Sequence, residues 1–169
     1  GLAAAIGPGD TIAKHREDTL AAGRGLCDPA AVDALVTEAP AAVEELMERG
    51  VRFDLDPDGE LALGLEGGHS ERRIVHAGGA ETGRAITSRL AQLVAEHPGI
   101  EVLEGASAQA LWSADGACAG VITDRGSLRA GATVIATGGG AVLRRRTTNP
   151  RGAIGAGSGL AAAAGAELA

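Results

Sequence analysis

Apolar residues recur at helical spacing over the first fifty positions, give way to short alternating runs, and then return to helical spacing before a series of strand-like segments. Ile12 and Leu20, with intervening alanines, predict a helix over 10–22 that Asp10 caps and Gly23 and Gly25 end. Asp28 followed by Pro29 is a helix start, because the carboxylate accepts a free backbone N–H and proline has no N–H to waste in the first turn. Val32, Leu35 and Val36 continue that helix, and Pro40 predicts a new one with Val43, Leu46 and Met47 inward and Gly50 as its stop. Asp56-Pro57-Asp58-Gly59 between short alternating runs predicts a hairpin-like turn over 51–65.

Periodicity then disappears. Residues 66–82 are rich in Gly, His and Arg, with Ile74 and Val75 the strongly apolar pair, so the segment reads as a loop or edge on which function can concentrate. Ile86, Leu90, Leu93 and Val94 predict a helix over 83–96, closed by His97-Pro98-Gly99. Strands are expected at 100–103, 108–112, 117–123, 127–130 and 133–136, with turns at Asp115-Gly116 and Arg125-Gly126. Thr133-Val134-Ile135-Ala136 reads as a buried strand running into Gly138-Gly139-Gly140, and an alanine-rich helix is expected over 160–169. The order implies an α/β sheet carrying helical segments and an antiparallel β-meander.

Composition narrows the class. The 169 residues suffice for one real core or two partial ones, yet aromatics are 1% against 45% hydrophobic residues, so Leu, Val, Ile and Ala must build it. A net charge of −7 disfavours nucleic acid and anionic membrane as partners, and no stretch approaches a membrane-spanning length. Arg144-Arg145-Arg146 with Arg151 is the local exception; it reads as a solvated loop or as help for an anionic ligand. Cys27 and Cys118 have neither zinc-like nor redox spacing, which fits a reducing cytoplasm.

Several constellations could carry chemistry. Gly138, Gly139 and Gly140 after a strand either make a tight turn or let backbone approach a ligand without a Cβ in the way. Gly155-Ala156-Gly157-Ser158-Gly159 lacks the preceding apolar strand of a dinucleotide fingerprint, and Leu160 stands where its third glycine belongs; a helix N-terminus able to face an anion is left. His69 and His76, with Glu66 nearby, could form a metal site or be surface or hydrogen-bonding histidines, and no second acidic or thiolate ligand is suitably placed for a metal. Arg72, Arg73 and Arg84 could grip carboxylates or form surface ion pairs.

Together these segments resemble the L-aspartate oxidase family, within the flavoprotein group that includes succinate dehydrogenase and fumarate reductase. The residues carrying the resemblance are HREDTLAAGRGLCD at 15–28, EGGHSERRIVHAGGAETGR at 66–84, Ala136-Thr137-Gly138-Gly139 and Thr147-Thr148-Asn149-Pro150. The last two motifs are shared across the wider group, whereas the Glu66 segment is selective. The resemblance implies part of an FAD-binding domain of the fumarate reductase flavoprotein type over 1–169, with the ADP-binding βαβ unit before it and the catalytic arginine base beyond residue 169. It implies FAD as cofactor, Gly1, Gly138 and Gly139 as its contacts, and Glu66 as the carboxylate that receives the substrate ammonium. It implies oxidation of L-aspartate to iminoaspartate with oxygen or fumarate as acceptor, and quinolinate synthase, which serves NAD biosynthesis, as the recipient of the imine. No catalytic residue and no metal ligand is expected within the chain, and the chain by itself is expected to be inactive. A dicarboxylate-oxidising flavoprotein and a non-catalytic remnant that binds no flavin are the alternatives. Where the family carries T-G-D-G, this chain has Ile154-Gly155-Ala156-Gly157, so Ala156 stands in place of a flavin-contacting Asp, and Ala162-Ala163 replaces a bulkier pair.

Overall fold

The structure, a computed structural model, describes residues 1–149 and 151–168; Pro150, the last residue of the Thr147–Pro150 motif, and Ala169, the last of the expected alanine-rich helix, lie outside the described residues. The chain divides into two compact units, Gly1–Val102 and Leu103–Ala169. The first holds strand β1 (Leu2–Ala3), helices α1 (Ile12–Gly23) and α2 (Pro29–Glu48), strand β2 (Ile74–Val75) and helix α3 (Thr82–Glu96). The second holds an antiparallel meander β3 (Ala108–Ala114), β4 (Ala117–Thr123) and β5 (Gly126–Arg129), followed by helix α4 (Ala156–Ala163). This α/β mixture of helical segments and an antiparallel meander is the fold class expected.

In the first unit the core is Ala4, Val43, Val51, Phe53, Val75 and Ala77, with Leu46, Leu61, Leu63 and Ile86 packed on it. β1 was not foreseen; it pairs antiparallel with β2, Leu2 opposite Val75 and Ala3 opposite Ile74. Thr11, and not Asp10, caps α1, its side chain accepting the Lys14 N–H at 3.2 Å, while Asp10 is drawn away to a buried arginine described below. Ile12, expected inward, is exposed, and the buried residue of α1 is His15. Asp28 caps α2 as expected, accepting the Ala30 N–H at 2.8 Å.

Pro40 does not begin a new helix: α2 runs through it. Proline in a helix interior costs about 3 kcal/mol through one lost hydrogen bond and a clash. Against this, Val32, Val36 and Val43 are all buried along α2, each contributing about 1.5–3 kcal/mol on burial, so packing outweighs the local penalty. The same packing decides which apolar residues turn outward: Leu35 and Met47 are exposed, and only Leu46 of the expected Leu46–Met47 pair reaches the core. The Asp56–Gly59 turn forms as expected, with Asp56 Oδ1 accepting the Asp58 and Glu60 N–H groups, but only an isolated Leu55–Leu61 bridge flanks it.

In the second unit the Asp115-Gly116 turn forms with both residues at positive φ (52° and 76°). The next turn lies at Asp124-Arg125, with Gly126 already in β5. Residues 100–103 and 133–136 are not strands, and Val134 is 88% exposed. A run of apolar residues forms a strand only with a ladder partner, and the meander β3-β4-β5 offers neither segment one. α4 begins four residues before the expected 160 because Gly155, at φ 73°, serves as its N-cap. It stops at Ala163, before Gly165 at φ 91°.

Candidate functional site

Glu66 opens a turn closed by the His69 N–H on the Glu66 carbonyl at 3.3 Å, with Gly68 at φ 88° in a conformation that favours glycine. The carboxylate points to the residue just past β2: Glu66 Oε1 lies 3.1 Å from His76 Nε2. Because a carboxylate only accepts, His76 donates from Nε2. Glu66 Oε2 has no hydrogen-bond partner among the described residues. Gly1 stands beside this pair, since a Cβ built on it would come 2.9 Å from His76 Nε2 and collide with Ile74. Two of the expected site residues, Glu66 and Gly1, therefore converge on His76 in the first unit. Of the two histidines weighed as metal ligands, His76 serves Glu66 and His69 faces Arg73, its Nδ1 at 3.4 Å from Arg73 Nη1.

The loop carrying Glu66 is fastened from behind by a buried ion cluster. Arg73, expected as a surface ion pair, is fully buried. Its guanidinium grips Asp10 with two bonds of 2.8 Å, Nε to Oδ2 and Nη2 to Oδ1, and donates from Nη1 to Asp18 Oδ2 at 2.7 Å. Asp18 Oδ2 also accepts the Ser70 N–H and the Ser70 hydroxyl, each at 2.8 Å. The Ser70 N–H is the largest of the causes that lower the Asp18 pKa; the Ser70 hydroxyl and Arg73 lower it further against the effect of burial. Burial opposes the charge on Arg73, but the hydrogen bonds it donates to Asp10 and Asp18 win and raise its pKa. His15 sits against this cluster, its ring centre 5.8 Å from that of His69 and its Nδ1 without a partner among the described residues. Burial, then the nearby Arg73 and His69, lower its pKa, so the neutral imidazole is favoured.

A second anchor lies on the other side of β2. Asp54 accepts the Gly78 and Gly79 N–H groups at 2.8 Å each, both glycines being at positive φ (60° and 63°). The Gly79 and Gly78 N–H groups hold the Asp54 carboxyl below its ordinary pKa. An open cleft of about 1050 Å³ is lined by Asp54, Leu63, Gly64, Ser70, Arg72 and His76, among others. Arg72 donates to the Leu63 carbonyl at 3.4 Å, and Arg84 forms the expected surface pair, with Glu81 at 3.1 Å. Among the described residues no three His, Cys, Asp or Glu side chains are grouped to hold a metal ion.

In the second unit the glycine segment is built on close backbone packing. A Cβ on Gly157 would strike Thr137 Oγ1 and Ile135, and Thr137 Oγ1 accepts the Gly157 N–H at 3.1 Å. Gly139 accepts the Gly155 N–H at 3.1 Å. Gly138, at φ 72°, and Gly139 have open space where a Cβ would stand. Arg144, Arg145 and Arg146 are exposed, as a solvated loop requires.

The family model for the FAD binding domain matches residues 1–169. The chain belongs to the FAD-binding domain family. Within that family it is similar along its whole length to L-aspartate oxidases: 47% identical to that of Agrobacterium fabrum over 173 residues, covering 100% of this chain and 33% of the relative, and 45% identical to that of Streptomyces coelicolor, covering 99% and 30%. Among solved structures, an E. coli quinol fumarate reductase variant superposes with a TM-score of 0.90 at 28% identity, over 96% of this chain and 29% of that one. Mycobacterium smegmatis Sdh1 superposes with a TM-score of 0.84 at 29% identity, over 97% and 31%. The chain thus spans about a third of the length of the curated relatives it matches.

For an FAD-binding domain the two glycine sites mean different things. Gly138 and Gly139 leave room for a group lying against the backbone, which fits a flat cofactor ring. Gly1 is required by its own neighbours, because a side chain there would meet Ile74 and His76. No helix among the described residues is long and apolar enough to cross a membrane. Three functional features escaped the sequence: the Arg73–Asp10–Asp18 cluster, the Asp54 anchor, and the seat of His76. The ion cluster joins residues separated by 55 and 63 positions, a separation over which no local pattern reports.

Proposed function

We propose that this chain is an internal part of the FAD-binding domain of an L-aspartate oxidase, taking part in FAD-dependent oxidation of L-aspartate to iminoaspartate. One observation carries the proposal: identity to L-aspartate oxidases reaches 47% over the whole chain, whereas the solved fumarate reductase and Sdh1 superpose at 28% and 29%. The geometry supports it. A carboxylate with one bonded and one free oxygen is suited to a primary ammonium, which is what separates aspartate from succinate or fumarate.

Glu66 binds and orients the substrate ammonium. Gly138 and Gly139 are the cofactor contacts assigned in the second unit and Gly1 the one assigned in the first. FAD held at Gly138 and Gly139 would supply the oxidising chemistry, a sink for the hydride equivalent of the substrate Cα. Oxygen or fumarate is the final acceptor, an arginine base beyond residue 169 takes the proton, and the imine passes to quinolinate synthase in the cytoplasm.

The test is aspartate-dependent formation of peroxide, and of succinate when fumarate is supplied, by the full-length polypeptide. Glu66→Gln should raise the aspartate KM and leave flavin content unchanged. Turnover of succinate in place of aspartate would assign the chain to the dicarboxylate-oxidising flavoproteins, and an absent flavin absorbance band would make it a non-catalytic relative.

A further inference from the structure

The ring of His76 is wedged between two backbones. A Cβ on Gly64 would stand 2.8 Å from His76 Cε1, and one on Gly1 would stand 2.9 Å from Nε2, so the absence of side chains at both positions creates the slot. The backbone at His76 is held too: its carbonyl accepts the Asp54 N–H at 2.7 Å, and Asp54 in turn is fixed by Gly78 and Gly79. From this slot Nε2 meets Glu66 Oε1 at 3.1 Å and leaves Oε2 without a partner among the described residues. Glu66 has a flexible side chain that is 57% exposed, and among the described residues His76 alone hydrogen-bonds its carboxylate.

We infer that His76 is a positioning residue that fixes the Glu66 carboxylate through Oε1 and so presents Oε2 to the primary ammonium of an amino-acid substrate. This rests on the assignment of Glu66 made above. His76 acts through Glu66 and is not itself a ligand of the reacting atoms. The glycines at 1 and 64 belong to the same device, since either side chain would turn the ring out of reach.

The experiment is a double-mutant cycle in the full-length, flavin-loaded polypeptide. His76→Leu removes the donor, and the aspartate KM is expected to rise about tenfold, the size of one hydrogen bond to a charged group. The kcat should change less than about twofold, because binding and not chemistry is affected. His76→Gln keeps a donor near the Nε2 position and should restore the KM to within about threefold. In a Glu66→Ala background, which removes the accepting oxygen altogether, His76→Leu should change the KM less than about twofold, since its target has gone. Gly64→Ala, which displaces the ring without touching its chemistry, should raise the KM in the same direction; it replaces His76→Leu should that variant fail to hold flavin.

Equal KM losses from His76→Leu in both backgrounds would show a merely structural role and overturn the inference. So would an unchanged KM in both His76→Leu and Gly64→Ala while Glu66→Gln alone raises it. If Glu66→Gln has no effect on the aspartate KM, the assignment of Glu66 itself fails, a result the single variant reports before the cycle is begun.

Discussion

Replacing Arg73 by Met separates the buried ion cluster from every other interaction in the first unit. Arg73 is 0% exposed and its side-chain partners Asp10 and Asp18 are 1% and 17% exposed. Breaking a buried pair by removing one partner costs about 3–5 kcal/mol, because the remaining charge stays buried without compensation. The lower end applies here, since Asp10 keeps the Thr11 N–H at 2.8 Å and Asp18 keeps both bonds from Ser70. A loss of about 3 kcal/mol in local stability accelerates opening by about a hundredfold or more. The assay is hydrogen exchange by mass spectrometry on the full-length polypeptide, read over residues 66–76, where the Ser70 amide reports directly on Asp18. Arg73→Lys should fall between, as a single ammonium cannot reproduce the two-pronged grip on Asp10. Arg84→Met is the control: its partner Glu81 is 59% exposed, and such pairs contribute about 0–1 kcal/mol. An Arg73→Met effect below about tenfold, or equal to that of Arg84→Met, would refute the claim that the cluster holds the Glu66 loop.

Acid should loosen the same region in two steps, seen by the same exchange readout. His15 is lowered below its ordinary 6.5, so the unfolded state takes up a proton first and stability falls as pH drops beneath about 6.5; His15→Gln should abolish this step. Asp18 is lowered below its ordinary 3.8, so its contribution is complete above that value and is lost as pH falls through the lower folded value; Asp18→Asn should remove this second step. Gly157→Ala should destabilise the second unit by about 1–3 kcal/mol in thermal unfolding, because its methyl would strike Thr137 and Ile135. Ala156→Asp should tighten flavin binding in a spectrophotometric titration, gaining about 1.5–3 kcal/mol from one charge-assisted bond; unchanged affinity would show that the position no longer faces the cofactor.

Local grammar was legible where one residue type settles the backbone. Asp28-Pro29 opened α2, Asp56 made its turn, and Asp115-Gly116 joined β3 to β4, each through a side-chain cap or a positive φ that acts within a few residues. Pro40 and the 133–136 segment went the other way for one reason: a helix can be carried across a proline by buried valines, and an apolar run is no strand without a partner, so both outcomes belong to packing.

The sequence by itself determined α1, the start of α2 and α3 in the first unit, the meander of the second, and the motif in which Glu66 stands, because these depend on spacing and on family pattern. Only the tertiary structure decided what surrounds Glu66. It placed His76 between Gly1 and Gly64 with its donor on the carboxylate, and it buried Arg73 with Asp10 and Asp18 behind the loop. An arginine on a polar loop and one in the core carry the same letter. What separates them is the presence of two carboxylates distant in sequence, Asp10 just before α1 and Asp18 within it, close enough to offset the cost of taking a charge out of water.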